Sequence, residues 1–503
     1  MGGRYVLGID QGTTGTTMLL IDKAGAVVHK YYQDFAQSYP KACWVEHDPE
    51  LIWRTVLDGF REIFGLPGVS PAAVAALGIT NQRETVVLWE RATGRPVHPA
   101  IVWQCRRTTD RCAELIAQGL DPMIQSRTGL RIDPYFSATK IEWLLTEYPD
   151  LRRRAAEGEL ACGTIDSWLI WKLTGGRVHA TDYSNASRTM LFNIQSLAWD
   201  RELLDIFGIP ADLLPEVKES GAFFGETIPE ITGGQAIPIT GVLGDQQAAL
   251  FGQGCLEPGM MKNTYGTGCF LLMNTGDKIF QPENGLLVSV AWGIGGKVQY
   301  VLEGSVFMAG AVVQWLRDEL KIIARAADSE DLALSAPDTQ GVYLVPAFTG
   351  LGAPHWDPYA RGLLIGLSRG VNRAHIVRAA LEAIAYQVRE VMEGMSRTVQ
   401  TIPVILRVDG GAAANNFLLQ FQSDICGLPI QRNQSLELTG AGVAYLAGLG
   451  AGLWKNTAEL TGLITVERTF TPHIDSARRD QLWQGWLRAV ERSKGWAVEP
   501  CVQ

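Results

Sequence analysis

A strand–turn–strand pattern occurs twice in the chain, once at its start and once near its midpoint. Residues 5–9 are mostly apolar, the turn sequence QGTTG follows, and residues 16–21 are rich in threonine and aliphatic side chains. The same order returns where residues 260–264 and 269–273 flank the turn sequence YGTG. Such runs around a glycine-containing turn are typical of β-hairpins. Two like hairpins, one opening each half of the chain, predict two domains of similar architecture, with chance similarity of two short turns as the alternative.

The segments that follow each hairpin alternate between helix-like and strand-like patterns. Residues 376–395 carry apolar side chains at helical spacing, and residues 436–449 read as a helix with many small residues, suited to close packing. Residues 406–411 form a strand that runs into a glycine turn. This alternation predicts an α/β fold with mixed or parallel sheets.

Length and composition limit the number of domains and the size of their cores. At roughly 150 residues per domain, the 503 residues allow about two to four domains. The chain is 47% hydrophobic and 19% charged, so it can bury substantial cores. Residues 252–258 are rich in turn formers just before the second hairpin. We therefore place a boundary there, between a domain of residues 1–254 and a domain of residues 255–503.

Charge and cysteine usage disfavour several classes of protein. Lysine and arginine number 44 against 53 acidic residues, a net charge of −9, which argues against a nucleic-acid partner. The 8 cysteines form no C-x-x-C pair, so we expect inert thiols in a reducing cytoplasm rather than a disulfide framework or a zinc site. Asp10 interrupts the first apolar run, and no stretch has the roughly 18 consecutive apolar residues of a membrane span. We therefore expect a cytoplasmic protein without a membrane span.

The turns of the two hairpins contain groups that suit phosphate and a metal ion. The chain has no Walker A sequence and no G-x-G-x-x-G sequence, so a nucleotide would have to be held in another way. Glycines let backbone N–H groups converge on an anion, and the hydroxyls of Thr13 and Thr14 add donors. Asp10 is placed to hold Mg²⁺ through water, because magnesium prefers oxygen ligands. An ordinary threonine-rich hairpin is the better interpretation of one turn alone; with the second turn, around Thr267, the two interpretations become comparable.

Three further segments offer groups to a small ligand, and each has a plainer structural alternative. The glycines of residues 410–415 would let a flat ring lie against bare backbone beside Asn415, although a strand-to-helix turn alone explains them. Asp245 would accept a proton from an alcohol, or cap the helix that follows it. Arg83 and Glu84 would converge in a turn and offer donors and acceptors to a polyol, or lie in a solvated charged turn.

Two other enzyme classes receive little support from the sequence. Ser137 and Lys140 match the S-x-x-K pattern of penicillin-recognising enzymes, but no K-T-G sequence follows. The 7 histidines lack the H-x-x-x-H and H-E-x-x-H spacings of catalytic zinc sites.

Taken together, these segments resemble the FGGY carbohydrate kinases, and within that family the members that phosphorylate glycerol. The resemblance extends from Gly8 to about residue 470. The segments that carry it are GIDQGTT (8–14), WVEHDP (44–49), NQRET (81–85), WQCRRT (103–108), PYFSATK (134–140), GDQQAAL (244–250), NTYGTG (263–268) and DGG (409–411). Because Lys140 belongs to the PYFSATK segment, the resemblance removes the S-x-x-K interpretation.

The resemblance implies two similar α/β lobes of the actin, hexokinase and Hsp70 ATPase type, with the active site in the cleft between them. It implies that ATP and Mg²⁺ serve to phosphorylate glycerol to sn-glycerol 3-phosphate, the first step of glycerol catabolism. The glycerol-binding positions that it implies are Arg83, Glu84, Trp103, Tyr135, Asp245, Gln246 and Phe270. The phosphate and nucleotide positions that it implies are Thr13, Thr14, Gly15, Thr17, Thr267, Gly310, Gln314, Gly411 and Asn415. Asp245 would be the general base, and Asp10 would hold Mg²⁺ through water.

The chain departs from the family pattern at two places. Thr17 stands where the family commonly carries an arginine, so a cation expected near the nucleotide phosphates is missing. Nucleotide affinity is then expected to be weaker or to rely on another group. Residues 232–238 match a loop in which some bacterial members hold the inhibitor fructose 1,6-bisphosphate with an arginine, but here the loop is shorter and has none. We expect no such inhibition, and inhibition at millimolar bisphosphate would contradict this.

Two alternatives to glycerol phosphorylation follow from the same resemblance. One is a family member that acts on another small polyol, which should differ at the substrate positions. The other is a catalytically silent sensor or scaffold, which should lack the base or the metal-binding acid, whereas Asp245 and Asp10 are both present. Thr17 gives the second alternative slight support. Family members form dimers and tetramers, so a homodimer or homotetramer is expected.

Overall fold

Two sheets, one in each half of the chain, form the framework of the computed structural model, which describes residues 4–281, 285–400, 402–435 and 437–498. Leu436, the first residue of a predicted helix, and Cys501, one of the 8 cysteines, lie outside these residues. The strands of the first half are β1 (Tyr5–Gln11), β2 (Gly15–Asp22), β3 (Val27–Asp34), β4 (Glu46–His47), β5 (Val74–Asn81), β6 (Val87–Glu90), β7 (Ala100–Ile101), β8 (Leu160–Gly163), β9 (Ala180–Asp182), β10 (Phe192–Asn193), β11 (Ala198–Trp199), β12 (Glu216–Lys218) and β13 (Ile239–Gly244). The strands of the second half are β14 (Met260–Tyr265), β15 (Cys269–Gly276), β16 (Leu287–Ile294), β17 (Lys297–Val306), β18 (Tyr343–Val345), β19 (Leu363–Ile365), β20 (Ile405–Asp409), β21 (Ile430–Asn433) and β22 (Val466–Phe470).

Helices connect and cover the strands. They are α1 (Pro49–Gly65), α2 (Thr109–Ala117), α3 (Asp121–Thr128), α4 (Ser137–Glu147), α5 (Pro149–Ala156), α6 (Ile165–Leu173), α7 (Tyr183–Ala186), α8 (Arg201–Phe207), α9 (Pro229–Thr232), α10 (Asp245–Gly252), α11 (Gly310–Asp318), α12 (Asp328–Leu334), α13 (Arg373–Val399), α14 (Asn416–Cys426), α15 (Leu438–Gly450), α16 (Thr457–Thr461) and α17 (Ser476–Ser493). Short 3₁₀ turns cover Pro71–Ala73, Ala211–Leu213 and Gly411–Ala414. Within the described ranges, no helix combines the length and apolar character that a bilayer crossing requires.

The two large sheets share one strand order. The first is ordered β13-β5-β1-β2-β3, and the second contains β21-β20-β14-β15-β17 in the same sense, with β22 and β16 added at its edges. In both sheets the hairpin and the strand beyond it are antiparallel. The strands on the other side of the hairpin are parallel in both sheets. The correspondence confirms the prediction of two like α/β lobes.

The two helices and the strand predicted in the second half are present as α13, α15 and β20. Their first and last residues differ from the predicted ones by a few positions. Helix α13 begins earlier than predicted because the Asn372 side chain caps it, accepting a hydrogen bond from the Ala374 N–H at 2.9 Å. Strand β20 ends at Asp409 because Gly410 has a φ of 88° and starts a turn.

The first sheet is covered on both faces, as its strand pattern requires. Leu7 and Ile9 of β1 lie in the core that contains the apolar face of α1. Val6, which points to the opposite face, lies in the core that contains α15. Because α15 belongs to the second half of the chain, the packing on Val6 joins the two halves.

Helices α10 and α15 cross at very short distance between the sheets. A Cβ atom at Gly442 would lie 2.0 Å from the carbonyl oxygen of Ala248, and one at Gly252 would lie 2.0 Å from that of Leu438. Helix α15 also packs on β1, β5 and β13. This confirms that the small residues of the predicted helix serve close packing. Since α10 begins at Asp245, the crossing also fixes the backbone of a predicted site residue.

We predict that Gly442→Ala lowers the free energy of unfolding by about 1–3 kcal/mol, because the added methyl group forces the two helices apart. The control is Gly65→Ala at the end of α1, where an added Cβ meets no atom of the described part of the chain within 4 Å. The control should be neutral or slightly stabilising, since alanine favours helix more than glycine does. Denaturant unfolding of both variants measures the difference, and equal stabilities would contradict the packing argument.

Candidate active site

The predicted site residues of the first lobe follow strands whose carboxyl ends lie side by side. The first turn follows β1, Arg83 and Glu84 follow β5, and Asp245 follows β13. Because these three strands are parallel neighbours, the segments emerge at one edge of the sheet, where open α/β sheets bind ligands. In the second lobe the turn at Thr267 follows β14, and Gly411–Ala414 follows β20, its parallel neighbour.

Four charged side chains form a buried cluster that joins the two lobes. Arg83 donates two hydrogen bonds to Glu303, from Nη1 to Oε2 at 2.7 Å and from Nη2 to Oε1 at 3.1 Å. Arg188 donates from Nε to Glu84 Oε1 at 2.7 Å and from Nη2 to Glu303 Oε1 at 3.1 Å. All four residues are at most 2% exposed. Two positive and two negative charges balance, which is the condition for burying charge without a large penalty.

Arg188 and Glu303 are two residues of the site that no sequence pattern predicted. Arg188 lies in a turn after α7 that no recognised motif includes. Glu303 lies in strand β17, directly after the apolar run of residues 300–302. An acid in such a strand is the one sequence feature that could have indicated a buried charge here. Burial alone raises the pKa of Glu303, but the charges of Arg188 and Arg83 lower it to about 2. Glu303 is therefore ionised throughout the physiological range.

Arg83 and Glu84 converge because they lie in a turn and not in a strand. Glu84 has a φ of 62°, and the Thr85 N–H donates to the Arg83 carbonyl at 2.7 Å. The Ser137 hydroxyl donates to the Glu84 carbonyl at 3.0 Å, which holds this uncommon backbone conformation.

Asp245 is the first residue of α10, after the cap residue Gly244. Its Oδ1 lies 3.3 Å from Arg83 Nε, and 30% of its side chain is exposed. Burial raises the pKa of Asp245, and the charges of Arg83 and Lys262 oppose that shift. The carboxylate is thus accessible, basic for an aspartate, and paired with cations, which suits a proton acceptor.

Two aromatic side chains form one wall beside these charges. The Trp103 and Tyr135 rings meet edge to face with centroids 5.5 Å apart. Arg83 Nη2 lies 3.4 Å from the Tyr135 hydroxyl oxygen, and the Arg188 guanidinium lies 5.4 Å from the Tyr135 ring centre. Trp103 Nε1 donates to Thr13 Oγ1 at 2.9 Å. This hydrogen bond connects the aromatic wall directly to the first turn.

Lys140 has a structural role in this wall. Its ammonium donates to the carbonyls of Pro134, Tyr135 and Phe136, the last two at 2.9 and 3.0 Å. The bonds fix the loop that carries Tyr135, so the lysine supports the site, while the Ser137 hydroxyl of the same segment donates to the Glu84 carbonyl.

A network of buried amides and one histidine holds the first turn. His47 Nε2 lies 2.6 Å from Gln37 Oε1, and Gln82 Nε2 lies 3.3 Å from His47 Nδ1. Gln37 then donates to the Thr13 carbonyl at 2.6 Å, and Gln82 donates to the Gly12 carbonyl at 3.2 Å. The Gly12 N–H donates to the Gly15 carbonyl at 2.9 Å. Among the described residues the N–H groups of Thr13 and Thr14 donate to no acceptor, so these two are left for another ligand.

Asp10 lies at the end of β1 in a strongly negative environment. Burial, followed by the charges of Asp245 and Glu437, raises the pKa of Asp10 to about 8, and Lys30 opposes the shift. Thr17 pairs with Asp10 across the hairpin and brings no charge. In the described part of the chain the Asp10 carboxylate accepts no hydrogen bond, so a cation is the partner that its environment favours.

The chemical groups at and near Asp10 fit magnesium. They are carboxylate oxygens, of Asp10 itself and of its neighbour Asp245, and such hard oxygen ligands are the ones that Mg²⁺ prefers. Among the described residues no group of three or more His, Cys, Asp or Glu side chains could hold a metal ion. A cation at Asp10 would therefore take most of its ligands from water and from a bound phosphate, which is the usual way in which Mg²⁺ binds.

The second turn is tied to the start of α11. The Thr267 carbonyl accepts hydrogen bonds from the N–H groups of Ala309 at 2.8 Å and Ala311 at 3.1 Å. A Cβ atom at Gly310 would lie 2.5 Å from the Gly266 carbonyl oxygen, so only glycine fits this approach. Gln314, one helical turn further along α11, is exposed.

The glycine turn after β20 leaves bare backbone beside a helix cap. No atom of the described residues lies within 4 Å of the position that an added Cβ atom at Gly411 would take. Asn415 caps α14, since its Oδ1 accepts from the Leu418 N–H at 2.9 Å and its Nδ2 donates to Ser329 Oγ at 3.2 Å. The second Nδ2 hydrogen of Asn415 is available to a ligand.

The remaining predicted residues lie at the two hairpins and at the start of α10. Thr14 is exposed in the first turn, and Gly15 is required there because a Cβ would lie 2.8 Å from the Gln33 carbonyl oxygen. Phe270 pairs with Thr264 across the second hairpin and is partly buried. In the described ranges no ring contact joins Phe270 to Trp103 or Tyr135. The Gln246 side-chain oxygen accepts a hydrogen bond from Lys262 Nζ.

Comparison with known families and proteins agrees with this geometry. Residues 5–252 match the N-terminal domain of the FGGY family of carbohydrate kinases, and residues 261–451 match its C-terminal domain. "Glycerol kinase" of Symbiobacterium thermophilum is 58% identical over 499 residues, which are 99% of this chain and 100% of that protein. "Glycerol kinase 2" of Thermotoga maritima is 55% identical over 493 residues, 98% of this chain and 99% of that protein.

Solved structures resemble the whole chain. The Plasmodium falciparum glycerol kinase, crystallised with ADP, has a TM-score of 0.92 at 36% identity and covers 98% of this chain and 99% of its own. A ligand-bound xylulose kinase from Lactobacillus acidophilus has a TM-score of 0.86 at 22% identity over 95% of each chain, a likeness of fold.

We predict that Glu303→Gln lowers the free energy of unfolding by about 3–5 kcal/mol, because it leaves buried arginine charge uncompensated. The control is Glu467→Gln, which breaks an ion pair with Arg432 but whose side chain is 48% exposed. The control should lose less than about 1 kcal/mol. Guanidinium denaturation at pH 7 measures both losses, and a small loss in Glu303→Gln would show that the cluster does not hold the lobes together.

His47 predicts a specific dependence of stability on pH. Burial lowers its pKa from 6.5 to about 4, so between these values the unfolded chain binds more protons than the folded protein. The stability that neutral His47 contributes is complete above pH 6.5 and declines as the pH falls toward 4. Between wild type and His47→Gln, the difference in unfolding free energy should shrink by about 2 kcal/mol from pH 7 to pH 5. A difference that does not change with pH would disprove the burial of a neutral ring.

Proposed function

The chain belongs to the FGGY family of carbohydrate kinases, and we propose that it transfers the terminal phosphoryl group of ATP to a primary hydroxyl of glycerol, giving ADP and sn-glycerol 3-phosphate. Relatives with the name glycerol kinase, 53% to 58% identical over at least 98% of the chain, support the substrate. The observation that carries the mechanism is the 3.3 Å contact between Asp245 and Arg83 at the sheet edge that also bears the first glycine–threonine turn.

We infer that glycerol is recognised by dense hydrogen bonding against an aromatic wall. Arg83 offers donors, and the Asp245 and Glu84 carboxylates offer acceptors. The long contact of 3.4 Å between Arg83 Nη2 and the Tyr135 hydroxyl is the one that a bound hydroxyl would replace. Trp103 and Phe270 would face the carbon backbone. A site of this kind rejects analogues that lack a hydroxyl, because its buried polar groups would be left unpaired.

Asp245 would act as the general base of an in-line displacement. The hydroxyl oxygen forms a bond to the γ-phosphorus, the bond from that phosphorus to the bridging oxygen of ADP breaks, and the hydroxyl proton passes to the Asp245 carboxylate. The raised pKa of Asp245, which burial causes, makes it a stronger proton acceptor. Phosphoryl transfer needs alignment and charge neutralisation more than covalent chemistry, which suits fixed backbone donors.

The nucleotide would lie across both turns. Backbone N–H groups and the hydroxyls of Thr13, Thr14 and Thr267 would hold the phosphates, and Gly15 and Gly310 would allow the close approach of backbone. Bound Mg²⁺ would neutralise phosphate charge, with Asp10 holding it through water.

Gln314, Gly411 and Asn415 would bind the nucleoside; the open backbone at Gly411 supports this assignment. Thr17 adds no cation, so backbone donors would carry more of the phosphate binding.

We assign glycerol binding, the first turn and the base to a domain of residues 1–254, and the second turn and the adenine site to residues 255–503. The ends of the family matches, at residue 252 and residue 261, support this division.

Asp245→Asn should lower kcat for glycerol by at least about 100-fold, since the amide cannot accept the proton, while ATP affinity stays nearly unchanged. Asp58→Asn, an exposed carboxylate of α1, is the matched control and should retain full activity. A coupled ADP-release assay measures the rates, and calorimetry measures ATP binding. A near-normal rate in Asp245→Asn would reject the base assignment.

Testing glycerol, dihydroxyacetone and several tetritols in the wild-type protein checks the substrate, and a clear preference for a tetritol would reject glycerol.

A further inference from the structure

Lys262 is a buried cation that the proposed reaction does not yet use. It lies on β14, two residues before Thr264, and is 0% exposed. Its ammonium donates to the side-chain oxygen of Gln246 and to Thr264 Oγ1 at 3.0 Å. Lys262 belongs to the second lobe and Gln246 to the first, so this contact crosses between them.

We propose that Lys262 is a positioning residue that fixes the orientation of the Gln246 side-chain amide, so that its two N–H donors are presented to the polyol. The inference rests on the proposed function, because it assigns a task within that site. It concerns how substrate affinity is set and not which group reacts.

A lysine ammonium has three donors and no acceptor, so it can bond the Gln246 amide only through Oε1. One end of the amide is an acceptor oxygen and the other is an NH₂ donor. The ammonium therefore excludes the orientation in which Nε2 would face Lys262. Gln246 Nε2 must then point away from Lys262.

Gln246 is partly exposed, at the position after Asp245 in α10. Across the described ranges its Nε2 makes no hydrogen bond. The amide is therefore held at its acceptor end and open at its donor end, which is the arrangement that a hydroxyl oxygen needs.

Burying an ammonium is unfavourable, and burial lowers the pKa of Lys262 to about 8, while the charges of Asp409 and Asp245 oppose that shift. Among the described residues Asp409 Oδ1 has no hydrogen-bond partner, and the charge of Lys262 is the largest effect that opposes the rise in the pKa of Asp409 caused by burial. Lys262 is thus kept charged by carboxylates on both lobes, and a charged lysine is what the amide orientation requires.

The test is a double-mutant cycle with Lys262→Met, Gln246→Leu and the combined variant. Lys262→Met should raise KM for glycerol about tenfold, the equivalent of one lost hydrogen bond, and change KM for ATP by less than about twofold. Gln246→Leu should raise KM for glycerol by a similar factor. The combined variant should be no worse than Gln246→Leu within about twofold, because both changes remove the same contact.

Two results would overturn the inference. One is an unchanged KM for glycerol in Lys262→Met. The other is a combined effect equal to the product of the single effects, which a merely structural lysine would give. If the wild-type protein does not phosphorylate glycerol, the proposed function is wrong. That result is distinct from the two above, because both of them require a wild-type protein that is active on glycerol.

A second variant keeps the test decisive if Lys262→Met does not fold. Gln246→Glu keeps an oxygen for the ammonium of Lys262 but removes both N–H donors. It should raise KM for glycerol about as much as Gln246→Leu does, with a thermal unfolding midpoint near that of the wild type. A wild-type KM in Gln246→Glu would show that the donors do not face the polyol.

Discussion

The two hydrogen bonds between Arg83 and Glu303 are the contact on which the rest of the site depends. The two residues are 220 positions apart in the chain and come from different lobes. A buried charge is tolerated only where a partner of opposite charge meets it with good geometry, so each residue fixes the other. Arg83 in turn lies 3.3 Å from Asp245. The position of the proposed base is therefore set by an interaction between the lobes, and not by one lobe alone.

The same principle governs the other parts of the site. His47, Gln37 and Gln82 hold the first turn through buried hydrogen bonds, and Lys140 holds the loop of Tyr135. In each case a side chain outside the reacting region holds a backbone carbonyl or another side chain in place. Donors fixed in advance do not need to reorganise when charge develops, which is the main source of stabilisation in phosphoryl transfer.

Much of the fold follows from local sequence patterns, and the central part of the site does not. The two hairpins, α13 and α15 are predictable because strand runs, glycine turns and helical spacing are local signals. Arg83 and Asp245 are identifiable because they lie in recognisable segments. Glu303 and Arg188 are not, since their roles come from pairing with residues more than 100 positions away. An acid inside the apolar run of β17 indicates a buried charge, but the sequence does not name its partner.

A crystal structure with glycerol and a non-hydrolysable ATP analogue would show whether Asp245 is placed to take the proton. We expect a primary hydroxyl oxygen within about 2.6–3.2 Å of the Asp245 carboxylate. We also expect the γ-phosphorus beyond that oxygen and Arg83 still paired with Glu303. Glycerol bound at a site remote from Asp245, with the analogue held between the two turns, would show that Asp245 is not the base.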